Sequence, residues 1–263
     1  MRSKSFLTGA GFVLGAILSA YFVIPSGAQQ AVQPAANPDY QIGAILYQQK
    51  AAEYRALTYQ AYNLAQLRLD QDLDKKNVKK LPKAERKMPR AIIVDIDETV
   101  LDNSPANAYG VKNGTGFNIK DWYAWGEMRK AKAVPGAVDF LNYAVSKGVK
   151  IFYVSNRDEV QKQATIDNLT NVGFKDVSAA NVMLRQKDST KEPRRLEIAA
   201  KYRIVMLMGD NLDDFSNVFE RKSVVDRFAE TDKARDRWGK KFIVLPNAMY
   251  GTWESALYGY GRL

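Results

Sequence analysis

Four short apolar runs punctuate the later part of the chain: "AIIVD" from Ala91, "KIFYVSN" from Lys150, "RIVMLMGD" from Arg203 and "KFIVLPN" from Lys241. Each closes on a polar residue. Runs this short and rich in β-branched residues predict strands, and apolarity without alternation predicts strands buried on both faces. Between them lie "PGAVDFLNYAVSKG", "EVQKQATIDNLTNVG" and "KEPRRLEIAAKY", whose apolar positions predict helices, with Gly148 and Gly173 placed to end the first two. Strands alternating with helices predict an α/β fold: a Rossmann-like parallel sheet with helices on both faces. In such a sheet the ligand crevice lies at the C-terminal ends of the strands. Those ends carry Asp95, then Ser155 and Asn156, then Asp210.

Ahead of the first strand, Ile42, Leu46, Tyr54, Leu57, Ala61, Leu64 and Ala65 recur at three- and four-residue intervals. This predicts one or two amphipathic helices over 39–73, with Asp39 a candidate N-cap. From Lys75 to Arg90 the chain carries eight cations and no aromatic residue, the composition of a solvated linker rather than a nucleic-acid surface. The first residues hold two cations, an uncharged apolar run from Phe6 to Ile24, and the small residues Ser26 and Ala28. That is the pattern of an export signal cleaved after Ala28, and the expected location is periplasmic or secreted. A run of this length also suits an uncleaved membrane anchor, and that alternative stays open. The expected organisation is a signal over 1–28, a polar tether over 29–38, helices and basic linker over 39–90, and a core over 91–263. The core carries an insert over 103–133. The insert, leading helices and tail are expected to form a smaller helical part.

Composition narrows the chemistry. The 263 residues include no Cys and no His. Disulfides, thiolate nucleophiles, a thiol to carry a lipid, and every mechanism using imidazole are therefore excluded. Hydrolytic chemistry must use carboxylates, hydroxyls, Lys or Arg, and a bound metal must accept oxygen ligands, which points to Mg²⁺ or a similar hard cation. The formal charge is +10, and a basic surface attracts anions, phosphorylated small molecules among them.

Asp95 and Asp97 follow one strand, and Asp210, Asp213 and Asp214 follow another. Like charges placed together raise one another's cost of ionisation unless a cation offsets them. Ser155 and Asn156 could donate to phosphate oxygens, and Lys191 could bring a positive charge. A nucleophile, a divalent cation and donors around three equatorial oxygens are what phosphoryl transfer requires. A carboxylate can itself attack phosphorus, and Asp97, two residues past Asp95, could protonate the leaving alkoxide and then activate water.

The motifs "DIDETVLDNS", "VSNR", the segment around "KEPR", and "GDNLDDF", in that order, resemble those of the haloacid dehalogenase (HAD) superfamily. They are specifically similar to the class C bacterial acid phosphatases, a family of lipoprotein acid phosphatases and 5′-nucleotidases. The resemblance runs from about Gln41 onward. It implies Asp95 as nucleophile and Asp97 as acid/base. It further implies Mg²⁺ held by the Asp95 carboxylate, the Asp97 carbonyl and Asp210, with Asp214 in support, and phosphate bound by Ser155, Asn156 and Lys191. Lys187 lies in the same polar loop, and Lys191 is preferred because "KEPR" keeps a Lys-x-x-Arg pattern. Many relatives carry a lipid on an N-terminal Cys, which this chain lacks. Among the aromatics of "DWYAW" and "NAMYGTW", Trp125 and Tyr250 are the expected substrate contacts, stacking a nucleobase or phenyl ester. The roles of Glu98, Asp102 and Asp213 stay open.

The function expected is a Mg²⁺-dependent acid phosphatase acting on small phosphomonoesters, nucleoside 5′-monophosphates in particular. The alternatives are a broad sugar-phosphate phosphatase or phosphotransferase on the same site, and a non-catalytic binding or storage protein of the same fold. Nucleic acid is not an expected partner, a membrane is one only if the N-terminal segment stays uncleaved, and a homo-oligomer stays open.

Overall fold

A five-stranded, all-parallel sheet in the order β5-β4-β1-β6-β7 forms the centre of the computed structural model, which describes residues 38–260. The segment read as an export signal, and the tether up to residue 37, lie outside the described residues. Among the described residues no helix is long and apolar enough to cross a membrane. The chain enters through a 3₁₀ turn, Pro38–Gln41, into α1 (Ile42–Lys50) and α2 (Ala52–Leu73). Single-turn helices α3 (Lys75–Val78) and α4 (Lys83–Arg86) then lead to β1 (Arg90–Val94). A two-residue strand β2 (Leu101–Asp102) follows, then α5 (Ser104–Lys112), α6 (Ile119–Met128) and β3 (Lys132–Ala133). The remaining elements alternate: α7 (Ala137–Ser146), β4 (Lys150–Asp158), α8 (Lys162–Asn171), β5 (Val182–Arg185), α9 (Glu192–Ala199) and β6 (Arg203–Gly209). Last come α10 (Val224–Lys233), β7 (Phe242–Val244) and α11 (Thr252–Leu257).

The uniformly apolar strands are explained by two cores, one on each face of the sheet. Ile92, Val94, Ile151, Tyr153, Met206 and Met208 point to the face covered by Tyr62 and Leu69 of α2 and Phe140 and Leu141 of α7. The alternate residues Ile93, Phe152, Val154 and Leu207 point to the face covered by Ile198, Phe215 and Phe219. Each large apolar side chain so buried contributes about 1.5–3 kcal/mol. Gly148 and Gly173 sit just past α7 and α8 at φ +73° and +101°, the left-handed conformation that ends a helix at least cost in glycine.

The leading helices differ from their sequence pattern. Ile42 and Leu46 of α1 are exposed, as is Leu57 of α2, and α1 instead buries Ile45 and Gln48. The α1 N-cap is Gln41 rather than Asp39, because the 3₁₀ turn occupies the residues before it. Helix α2 is structural core on one side only, through Tyr54, Thr58, Ala61, Tyr62, Ala65 and Leu69. Near its end Asp72 accepts from Arg90 at 2.8 Å and from both terminal nitrogens of Arg203 at 2.6 Å, tying α2 to the first residues of β1 and β6.

The insert is closed at its base by the antiparallel pairing of β2 and β3, Leu101 against Ala133 and Asp102 against Lys132. Between these strands it contributes α5 and α6. In the main sheet, β1 stands between β4 and β6, and the connections reverse direction there. That topological switch point is where a doubly wound sheet opens a crevice.

Candidate active site

Asp95 follows β1, and its N–H donates to Met208 O at 2.9 Å, so pairing with β6 continues one residue past the strand. This brings Asp95 beside Asp210, which follows β6. Gly209, the last residue of β6, has no room for a side chain: a Cβ there would run into the Asp214 carboxylate, 2.6 Å from its Cγ. Asp214 ends the 3₁₀ turn Leu212–Asp214, held by a reciprocal cap in which Asn211 N–H donates to Asp214 Oδ2 at 3.0 Å. The result is a cluster of Asp95, Asp210 and Asp214 with one carboxylate oxygen from each lying within 4.8 Å of the others.

Lys191, the N-cap residue of α9, reaches into this cluster. Its buried ammonium donates to Asp95 Oδ1 and, at 2.6 Å, to Asp214 Oδ1. Lys187 is exposed in the preceding loop. Burial would lower the Lys191 pKa, but Asp214 and Asp95 hold it above the ordinary lysine range. Burial drives Asp95 well above the usual carboxylate range, with Lys191 opposing and Asp214, Asp210 and Asp97 adding to the rise. Asp210 is pushed up to about 7 by burial and by Asp214, against the bonds it accepts from Asn247 and Thr99. Those bonds, 3.0 Å from Thr99 Oγ1 and 2.8 Å from Asn247 Nδ2, fix both of its oxygens.

The Asp97 side chain faces another set of partners. Its Oδ1 accepts from Arg157 Nε at 2.9 Å and from Asn103 Nδ2 at 2.9 Å, and its Oδ2 accepts from Ser155 Oγ at 3.1 Å. Ser155 is fully buried and also accepts from the Arg157 N–H. Asn156 is exposed, and its side-chain oxygen accepts from Arg194 at 2.7 Å. Arg194 also donates to the carbonyl of Ser155 at 2.6 Å, so the arginine of the Lys-x-x-Arg pattern braces the C-terminal half of β4.

The open acidic residues now have places. Glu98 is completely buried at φ +57°, where the chain reverses into β2. It accepts from the Asn103 N–H at 2.7 Å and from the hydroxyl of Tyr250. Burial, then Asp97 and Asp210, push its pKa well up. Asp102 accepts from Gln48 of α1 at 2.7 Å and from the Ser104 N–H at 2.9 Å, joining α1 to the start of the insert. Asp213 turns from the cluster and pairs with Arg227 at 3.2 Å. Of the two expected substrate aromatics, Tyr250 directs its hydroxyl inward onto Glu98. Trp125 lines a cleft of about 320 Å³ with Pro105, Tyr109, Phe117, Trp122 and Met128, while its indole N–H donates to Asn103 at 2.8 Å.

Arg157 and Asn103 were not singled out by sequence reasoning. Arg157 stands in the quoted "VSNR" and is almost wholly buried, a rare condition for arginine that the sequence does not display. Asn103 sits in "LDNS", and nothing in its neighbours marks it.

A family model described as HAD superfamily, subfamily IIIB (acid phosphatase), matches residues 23–253. The chain belongs to that family. In structure it is similar to the class C acid phosphatase from Bacillus anthracis, with a TM-score of 0.79 and 44% identity over 85% of this chain and 90% of that one. The same enzyme with tungstate bound matches at the same TM-score and identity over 86% and 91%. A class B acid phosphatase from Aggregatibacter actinomycetemcomitans serotype C is 27% identical over 62% of this chain and 74% of its own length. Acid phosphatase 1 of Solanum lycopersicum is 29% identical over 46% of this chain, and the match spans half of that protein's length.

The donor set suits a divalent metal. Asp95, Asp210 and Asp214 offer only oxygen, in a buried cluster whose negative charge Lys191 alone offsets only in part. Oxygen donors without nitrogen or sulfur favour a hard cation.

Proposed function

We propose that the protein is an exported, Mg²⁺-dependent acid phosphatase that hydrolyses phosphomonoesters, nucleoside 5′-monophosphates among them, through an aspartyl-phosphate on Asp95. The observation that carries this reading is the placement of Asp95. It is a buried carboxylate at the end of the central strand, flanked by two further aspartates and one lysine. The N-terminal apolar run supports export, and the tungstate carried by the Bacillus anthracis enzyme, a tetrahedral oxyanion, supports phosphate as the recognised group.

In this reading one Asp95 oxygen attacks phosphorus and the bond to the ester oxygen breaks. Asp97 gives a proton to the departing alkoxide. It then takes one from the water that attacks the phosphoenzyme, and that step frees Asp95 and inorganic phosphate. Lys191 offsets charge on the transferring group's oxygens. Arg194 braces β4 at Ser155 and Asn156, the residues read as phosphate contacts. When bound by Asp95, Asp210, Asp214 and the Asp97 carbonyl, Mg²⁺ supplies Lewis-acid stabilisation of the charge that develops on the phosphoryl oxygens. The aromatic cleft at Trp122 and Trp125 favours leaving groups that are nucleosides or aryl alcohols over small polyols, since each stacked base gains about 1–3 kcal/mol.

The test is phosphate release from a nucleoside 5′-monophosphate at acid pH with Mg²⁺, compared with Asp95→Asn and with EDTA. Wild-type turnover with both controls silent is expected. Turnover by the variant would remove the nucleophile assignment, and turnover in EDTA would remove the metal.

A further inference from the structure

We infer that Asn103, locked in one orientation by Trp125 and Arg157, is a positioning residue that aims Asp97 at the leaving oxygen, so that the seating of the insert governs proton delivery. This rests on the acid/base role given to Asp97 above.

Asn103 is fully buried where β2 hands over to α5. Its side-chain oxygen accepts from the indole N–H of Trp125 at 2.8 Å and from Arg157 Nη2 at 3.2 Å. Indole and guanidinium can only donate, so the amide has one tolerable orientation. In that orientation its NH₂ faces Asp97 Oδ1, 2.9 Å away. A flipped amide would set donors against donors and an oxygen against a carboxylate. Arg157 adds Nε at 2.9 Å and Nη2 at 2.8 Å to the same Oδ1. Nitrogen donors from Asn103 and Arg157 therefore converge on one oxygen of Asp97, while among the described residues Oδ2 carries the 3.1 Å contact from Ser155 alone. The carboxylate cannot rotate without breaking the set, and Oδ2 is the oxygen left to exchange a proton with substrate.

The contributors come from separate parts of the chain. Asp97 follows β1, Asn103 follows β2, Ser155 and Arg157 belong to β4, and Trp125 belongs to α6 of the insert. The ring of Trp125 lines the aromatic cleft. One indole N–H and one amide thus connect α6 and the wall of the cleft to Asp97.

A leaving-group comparison separates this from a merely structural role. A p-nitrophenolate departs without being protonated, whereas an alkoxide needs the acid. The parameter is kcat/KM, which reports steps up to formation of the phosphoenzyme and so excludes the later water attack. General acids contribute about 10²–10⁴-fold, so Asn103→Ala is expected to lower the ratio of benzyl phosphate to p-nitrophenyl phosphate kcat/KM by roughly 10²-fold, the aryl ring being common to both. Trp125→Phe keeps an aromatic side chain, though a smaller one, and removes the N–H; with an aryl ring on both substrates, it is expected to shift the ratio in the same direction by about tenfold. It decides the question alone if Asn103→Ala does not fold. Equal losses on both substrates, or an unchanged ratio in Trp125→Phe, overturn the proposal. Asp97→Asn runs alongside. If it shows no selective loss, the acid role of Asp97 itself has failed. If it shows the loss and the Asn103 and Trp125 variants do not, only the positioning role has failed.

Discussion

Replacing Lys191 with methionine tests whether the buried cluster is held together by charge compensation. The variant keeps the length and apolar stem of the side chain and removes the ammonium. At 2.6 Å, attraction to Asp214 alone is about 6 kcal/mol at an effective dielectric constant near 20. Asp95 adds a second, shorter contact. Much of that attraction offsets the cost of bringing the three groups out of water, and the net loss on removing one partner of a buried ion pair is about 3–5 kcal/mol. In EDTA near pH 7.5 the variant should therefore unfold about 3–5 kcal/mol more easily in urea, with a melting temperature lower by roughly 10 °C. Two changes should restore part of the loss. Acid protonates the orphaned carboxylates, and Mg²⁺ supplies the missing positive charge. Activity should stay low under both, because removing a single preorganised donor costs about 10²–10³ in kcat. If Lys191→Met in EDTA is as stable as the wild type at pH 7.5, the ammonium is not what allows three carboxylates to share one buried site.

The other predictions concern the same crevice. Burial, then Asp214, push Asp210 from the ordinary 3.8 up to about 7 when no metal cation offsets them. Between those values the unfolded chain has released a proton that the native site still holds, so this group's contribution to stability is greatest at acid pH and is lost as pH rises through about 7. Calorimetry in EDTA should show a flatter dependence in Asp210→Asn than in wild type between pH 5 and 7.5, and stabilisation of the wild type by Mg²⁺ should grow over that interval. A larger Mg²⁺ effect at pH 5 would contradict the assignment. Gly209→Ala places a Cβ 2.6 Å from the Cγ of Asp214. It should cost about 1–3 kcal/mol and weaken Mg²⁺ binding in a titration. Gly43→Ala in α1, with nothing within 4 Å of the added carbon, should leave both intact.

Apolar strands were the legible part of the sequence because a strand buried on both faces has no alternative reading. β1, β4, β6 and β7 all coincide with the runs that predicted them. β5 carries no such signal: it has four residues, Val182–Arg185, and as an edge strand it alternates buried and half-buried positions. The buried face of α1 departs from its apolar spacing for a different reason. Ile42 and Leu46 have the right spacing, but the helix buries Gln48, whose amide is needed by Asp102. Periodicity reports apolar contacts and is blind to a polar group buried for its hydrogen bond. The same blindness hid Arg157 and Asn103, whereas Asp95, Asp210 and Lys191 showed themselves by standing at strand ends or opening a helix.

Asp72 bears on how this chain can be divided. Its carboxylate grips Arg90 and Arg203, the residues from which β1 and β6 set out toward Asp95 and Asp210. Further back along α2, the Tyr62 hydroxyl donates to the carbonyl of Thr99, whose own hydroxyl holds Asp210. The helix is a strut fastened at both poles of the two strands that carry the chemistry. A fragment beginning at the first strand would lose both fastenings together. A chimaera that borrowed this helix from a relative would have to match Asp72 and Tyr62 before the borrowed piece could bear any load.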